Sequence, residues 1–182
     1  NILQYESRIW ATADLLRGCG IKESEWPSYM MPFFALVMIE SRLIRMLDEL
    51  TAEIGEAELA DLDAEDRMTL IQDRGQGYNK FIFERNLTLK DICKNDKSFD
   101  NDFEAYLKGF DGETRDLLGV EATDGEKFLD IKGVIEKLKA KKVLLGYTKE
   151  WSGIDLKPFD NSAITTLEEH IKRRWADISA ET

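Results

Sequence analysis

The chain has 182 residues, and 36 Asp and Glu against 25 Lys and Arg give a formal net charge of −11 at pH 7. That length suits one domain, and 43% apolar residues suffice for a core, which excludes wholesale disorder. The acid excess excludes a uniformly basic nucleic-acid binder, so any DNA contact has to come from a local patch.

Apolar spacing reads as helix almost throughout. Ile9, Trp10, Ala13 and Leu16 share one helical face, and Gly18 and Gly20 are stop signals. The next helix is expected to begin near Ser28 to Pro32 and to run to about Ile54. Pro32 belongs in its first turn or at a kink, because a mid-helix proline removes a hydrogen bond and clashes with the preceding turn. Phe33 to Ile39 is apolar all round, which implies burial between other helices. The uninterrupted apolar run, Tyr29 to Ile39, falls well short of the roughly 20 residues that span a bilayer, so no membrane segment is expected.

From Asp48 to Asp66 there are nine acids and no Lys or Arg, the pattern of a solvated helix end and loop or of an acidic docking strip. Asp63 is placed to cap a helix reaching Asp73. After Gly75-Gln76-Gly77, Tyr78 to Phe83 has aromatic, alternating character, and a short β-hairpin is expected there. Helical spacing then returns. Thr88 can cap the turn containing Ile92, and Ser98 precedes the face formed by Phe99, Phe103, Tyr106, Leu107 and Phe110. Asp111 can cap a short helix with Leu117 and Leu118. Phe128, Ile131, Val134, Ile135 and Leu138 line the next helix, and Leu144, Tyr147 and Trp151 another. Ser152 to Pro158 reads as a loop, and Ile164, Leu167, Ile171, Trp175 and Ile178 form the stripe of a last helix. The fold class is therefore all-α, one domain over residues 1–182.

Catalytic chemistry is hard to assemble from these residues. His170 is the sole imidazole and sits beside the apolar stripe, as a partly exposed helical histidine does. Without a second histidine no Ser-His or Cys-His relay stands out. Cys19 and Cys93 are too distant in sequence for a CxxC pair, a zinc site of thiolates and imidazoles is disfavoured, and free thiols fit a cytoplasmic compartment. Gly18-Cys19-Gly20 and Gly75-Gln76-Gly77 are bare triplets that follow no hydrophobic strand, so they read as turns and not as phosphate cradles. No catalytic, cofactor-binding or metal-binding residue is assigned. Two basic clusters oppose the overall charge: Lys132, Lys137, Lys139, Lys141 and Lys142 on one helix, and Lys172, Arg173 and Arg174 on another. Cations at a helix C-terminus complement its dipole, and they also suit phosphate contact. Lys137, Lys139, Lys141, Lys142, Lys172, Arg173 and Arg174 are the candidate DNA-backbone contacts.

Ile9-Trp10-Ala11-Thr12-Ala13-Asp14-Leu15-Leu16-Arg17-Gly18 resembles the opening of the modification (methylation) subunit of type I restriction-modification systems. Ser28-Tyr29 through Pro32 into Arg42-Leu43 is similar to the Tyr-containing segment and Pro-interrupted helix that follow in that family. Tyr106-Leu107-Lys108-Gly109-Phe110 with Arg115-Asp116-Leu117-Leu118 resembles its Tyr-x-x-Gly-Phe-Ser-x-Asn-Val-Arg-Asp pattern, although Asp111-Gly112-Glu113 replaces Ser-x-Asn. Ile154-Asp155-Leu156-Lys157-Pro158 is similar to its Ile-Asp-Leu-x-Pro loop, and Leu167-Glu168-Glu169 with Ile171-Lys172-Arg173-Arg174-Trp175 resembles its Phe-Glu-x-Leu-Ile-Arg-Arg-Phe helix.

The resemblance implies an N-terminal helical domain followed by a catalytic domain that binds S-adenosylmethionine and carries an Asn-Pro-Pro-Phe motif. Pro27, Pro32 and Pro158 are not adjacent, so that motif lies outside this sequence. With no initiator Met and no signal peptide, the sequence reads as a piece of a longer chain. The parent activity implied is methyl transfer to N6 of adenine in DNA, with the target base extruded from the duplex. The implied partners are DNA, the specificity subunit, the restriction subunit and the chain's own methyltransferase domain. The piece itself would be a non-enzymatic assembly module. The alternative is a stand-alone all-α adaptor whose acidic strip binds a basic partner.

Overall fold

The computed structural model describes residues 4–75, 77–121 and 129–181. Among them are eleven α-helices and one short 3-10 turn, with no sheet. The long helix α2 (Trp26–Ile54) forms the centre. Before it come α1 (Gln4–Gly18) and the 3-10 turn Glu23–Glu25; after it come α3 (Glu56–Asp61), α4 (Ala64–Asp73), α5 (Lys80–Arg85) and α6 (Leu89–Ile92). Then follow α7 (Phe99–Lys108), α8 (Gly112–Leu118), α9 (Ile131–Ala140), α10 (Leu144–Ser152) and α11 (Asn161–Glu181).

Helix α2 starts earlier than its proline suggested. Pro27 occupies the first turn, where its missing N–H is no loss, and Pro32 lies inside the helix. Burial carries the helix past it: Met30, Phe33, Phe34, Leu36 and Val37 are all in the core. Phe33 meets Tyr147 of α10 edge-on at 4.9 Å, and Phe103 of α7 lies 6.2 Å away. Phe34 meets Trp151 of α10 at 6.3 Å. The apolar stretch is thus buried between helices, as its pattern requires.

The expected hairpin at Tyr78 to Phe83 does not form. Tyr78, Phe81 and Ile82 are the buried apolar residues, at i, i+3 and i+4, which is the helical period hidden inside an apparently alternating run. The Asn79 side chain accepts a hydrogen bond from Ile82 N at 3.1 Å and so starts α5. What remains of β-structure among the described residues is one antiparallel bridge, Asn79 to Phe110, flanked by Lys80 N to Gly109 O and Asp111 N to Tyr78 O. The acidic stretch is helical for most of its length. Gly55, at φ 88°, separates α2 from α3, and α3 buries none of its residues.

Caps fall where the side chains predict them. Asp63 accepts from Asp66 N, Asp111 from Thr114 N and Asp130 from Gly133 N, each at 2.8 to 2.9 Å. Thr88 and Asp91 form a capping box at α6. Ser98 precedes α7, but its hydroxyl donates to the Asp102 carboxylate and does not cap backbone. Phe128, expected on the face of α9, lies outside the described residues.

The last helix returns beside the first. Tyr5 meets Phe159 at 5.3 Å, Glu6 lies 3.9 Å from His170, and Trp10 meets Trp175 at 6.4 Å. Both numbers rise together along these contacts, so α1 and α11 run parallel. Ile164, Leu167, Ile171 and Trp175 form the buried stripe of α11.

Candidate nucleic-acid interface

All seven candidate cations are exposed, but their surroundings differ. Lys139, with Lys132, lines a groove between α7 and α9 whose floor is Phe103, Leu107 and Ile135. Asp100, Glu104 and Glu136 line the same groove. The Lys108 ammonium, 2.9 Å from Glu104, holds that carboxylate below its usual range, with smaller pulls from Lys139 and Lys132. Lys139 therefore faces acids of its own chain. Lys137 sits on another side of α9, its ammonium 5.8 Å from the centre of the Tyr29 ring.

Lys141 and Lys142 end α9. Val143 N donates to Leu138 O and Lys142 N to Lys139 O, the paired bonds of a Schellman turn. That turn puts Lys142 at φ 61°, a left-handed conformation usually given to glycine. Neither ammonium has an ion-pair partner among the described residues.

On α11, Lys172 is tied to Glu168 at 2.7 Å, one turn back. Arg174 is laid over the Trp10 ring, 4.4 Å from its centre, and has no carboxylate partner among the described residues. Arg173 is likewise unpaired there. Arg174 and Trp10 line one groove with Arg17 and Trp26. Arg17 lies 4.8 Å over the Trp26 ring and 2.8 Å from Asp14. Of the seven candidates, then, Lys172 is ion-paired and Lys139 shares a groove with three acids; Lys141, Lys142, Arg173 and Arg174 have no ion-pair partner among the described residues, although Glu6 and Asp14 line the Arg174 groove, and Lys137 rests on an aromatic ring. Lys137 and Arg174, one from each sequence cluster, come to the end of the bundle where α2 begins, since Tyr29 and Trp26 belong to its first turns. Arg17 joins them there, which sequence spacing alone did not indicate.

The family-like elements serve as structural joints. The Asn79 side chain donates to Tyr106 O at 3.1 Å. Gly109 admits this contact: a Cβ there would lie 2.7 Å from Asn79 Oδ1 and 2.9 Å from Phe81 N. Arg115 donates to Phe110 O and to Glu121. The most consequential polar residue missed in the sequence is Glu40, midway along α2. One of its oxygens accepts from Leu89 N at 2.9 Å and from the Tyr106 hydroxyl at 2.6 Å. Burial raises the Glu40 pKa despite these bonds, and burial together with the Glu40 charge pushes Tyr106 well up. An acid inside an apolar helical run was the available signal. Cys93 is buried, which pushes its thiol up to about 11 and leaves it protonated and unreactive. No cluster of three His, Cys, Asp or Glu suited to a metal occurs among the described residues.

These features define an all-α domain built on one long central helix, with Glu40 and Asn79 joining helices in its interior and unpaired cations on the outside. The family model for the HsdM N-terminal domain matches residues 5–145, from α1 into α10, and the chain belongs to that family. It is accordingly a domain of the modification subunit of a type I restriction-modification system. No curated protein and no solved structure gives a significant match. No helix among the described residues is long and apolar enough to cross a membrane.

Proposed function

We propose that this domain is the assembly and DNA-enclosing module of a modification subunit that, as a whole, transfers a methyl group from S-adenosylmethionine to N6 of adenine in DNA. The family match carries the reading. In it, the cofactor and the catalytic groups belong to a methyltransferase domain beyond this chain, and the helical domain has no activity alone. Its partners are that domain, the specificity and restriction subunits, and duplex DNA, in the cytoplasm where the DNA is. At −11 the isolated domain repels a duplex at long range, but screening confines that repulsion to about 8 Å at physiological salt. Assembly supplies the effective concentration that makes individually weak phosphate contacts count.

Lys141 and Lys142 are the cleanest test, being unpaired and at a helix end. Replacing both with Ala in the assembled complex is expected to weaken DNA binding and to flatten its salt dependence, by roughly 0.9 in log–log slope for each phosphate no longer neutralised. Target preference stays the same, because phosphate contacts position without reading bases. An unchanged affinity and slope would reduce those lysines to helix-end charges in water.

A further inference from the structure

Charge is distributed unevenly along α2. Glu53 lies 24 residues beyond Tyr29, which at 1.5 Å per residue is about 36 Å. Around the first turns of α2 stand Lys137 on Tyr29, Arg17 on Trp26, and Arg174 in the groove that Trp26 lines. Lys141 and Lys142 follow Lys137 by one turn of α9. Around the far end stand Asp48, Glu49 and Glu53, then the exposed acids of α3 and the start of α4. Acids also occur at the near end. Asp14 and Glu23 engage Arg17, Glu6 faces His170 and with Asp14 lines the Arg174 groove, and Glu25 precedes α2 near Tyr29. They leave Arg173, Arg174, Lys141 and Lys142 unpaired among the described residues. At the far end Arg74, Lys157 and Arg45 engage Glu53, Asp48 and Glu49, and Arg67 donates to Ala60 O and Leu62 O beside Asp61, but the α3 carboxylates have no ion-pair partner among the described residues.

We propose that the end of the bundle where α2 begins is the face turned toward the duplex backbone, and that the acid-bearing end, where α2 gives way to α3, points away from it. The inference rests on the DNA-contacting role proposed above and adds an orientation to it. Three of the cations lie over aromatic rings, which limits the side-chain freedom forfeited on meeting a phosphate. The acids at the other end supply the opposing half: rotating the domain end over end would bring them against phosphates instead.

The test uses the full-length modification subunit in its assembled complex, with Cys19→Ser to remove the half-buried thiol. Single cysteines at exposed positions then carry a tethered iron chelate that cuts nearby DNA: Ala176→Cys at the basic end, and Ala57→Cys at the acidic end. Strand scission from Ala176→Cys with only background from Ala57→Cys is expected. Scission from Ala57→Cys alone, or from both equally, overturns the orientation, as does its absence from both in a complex that still methylates DNA. A second measurement removes charge and leaves the backbone alone. Lys137→Gln with Arg174→Gln should lower the salt slope by roughly 1.8, and an unchanged slope with unchanged melting overturns the proposal. Failure of the complex to methylate or bind DNA at all would strike the function proposed above, and is distinguishable from these outcomes.

Discussion

Replacing Glu40 separates the value of its hydrogen bonds from the penalty on its charge. Glu40 joins three helices by accepting from the first N–H of α6 and from the Tyr106 hydroxyl of α7. In Glu40→Ala both donors are left without an acceptor in a covered site. An unsatisfied buried donor costs about 1–3 kcal/mol, so losing the acceptor of both should destabilise by about 2–6 kcal/mol. Glu40→Gln keeps an acceptor oxygen and discards the charge. Since burial raises the Glu40 pKa even with both bonds in place, the carboxyl is harder to ionise in the folded protein than in the unfolded chain. The folded pKa lies above the unfolded one, so the folded state holds the proton more tightly. Stability from this group is present at low pH and is lost as pH rises from the ordinary carboxylate value through the raised one. Glu40→Gln removes that pH-dependent penalty. Urea melts of the three proteins between pH 4 and pH 8 should therefore show Glu40→Ala well below wild type. Glu40→Gln should be near wild type or above it at neutral pH, with its advantage shrinking as pH falls. If Glu40→Gln proved as unstable as Glu40→Ala at neutral pH, the carboxylate's charge would be the essential feature and the reasoning would be wrong.

Gly109→Ala should lower the urea midpoint by an amount equivalent to about 1–3 kcal/mol, because its Cβ would meet the Phe81 backbone as well as Asn79. Lys142→Gly should raise stability by about 1 kcal/mol, by relieving a left-handed residue at the end of α9, and a lowered melting temperature would contradict the turn assignment. Cys93 should resist a thiol reagent in the native protein at pH 8 while Cys19 reacts, and equal labelling rates would show that the core opens readily.

Most of the helices were legible because their apolar residues repeat at 3.6, and the Asp63, Thr88 and Asp111 caps were legible because capping is local chemistry. The Tyr78 to Phe83 segment was misread because three aromatic residues in six mimic alternation. What decides between strand and helix there is the Asn79 cap and the docking of Tyr106 and Gly109, about 30 residues away. Pro32 misled for the same reason: burial of α2 between α7 and α10 outweighs a missing hydrogen bond. The basic clusters were legible as composition, but their sorting was not. Whether a lysine faces Glu104, a tyrosine ring or water depends on which helix lies opposite, and no spacing within α9 records that.

The parallel pairing of α1 with α11 bears on how the chain is made. Trp10 and Trp175 touch across about 165 residues of sequence. At a synthesis rate of about 5–20 residues per second, Trp10 emerges roughly 8–33 s before its partner. For that interval one flank of α1 stays bare, and α10, which also packs on α1, arrives late as well. The newborn domain thus passes through a stage with a ready-made apolar seam awaiting its last stretch of chain, the stage at which it is most open to a chaperone or to a neighbouring nascent copy.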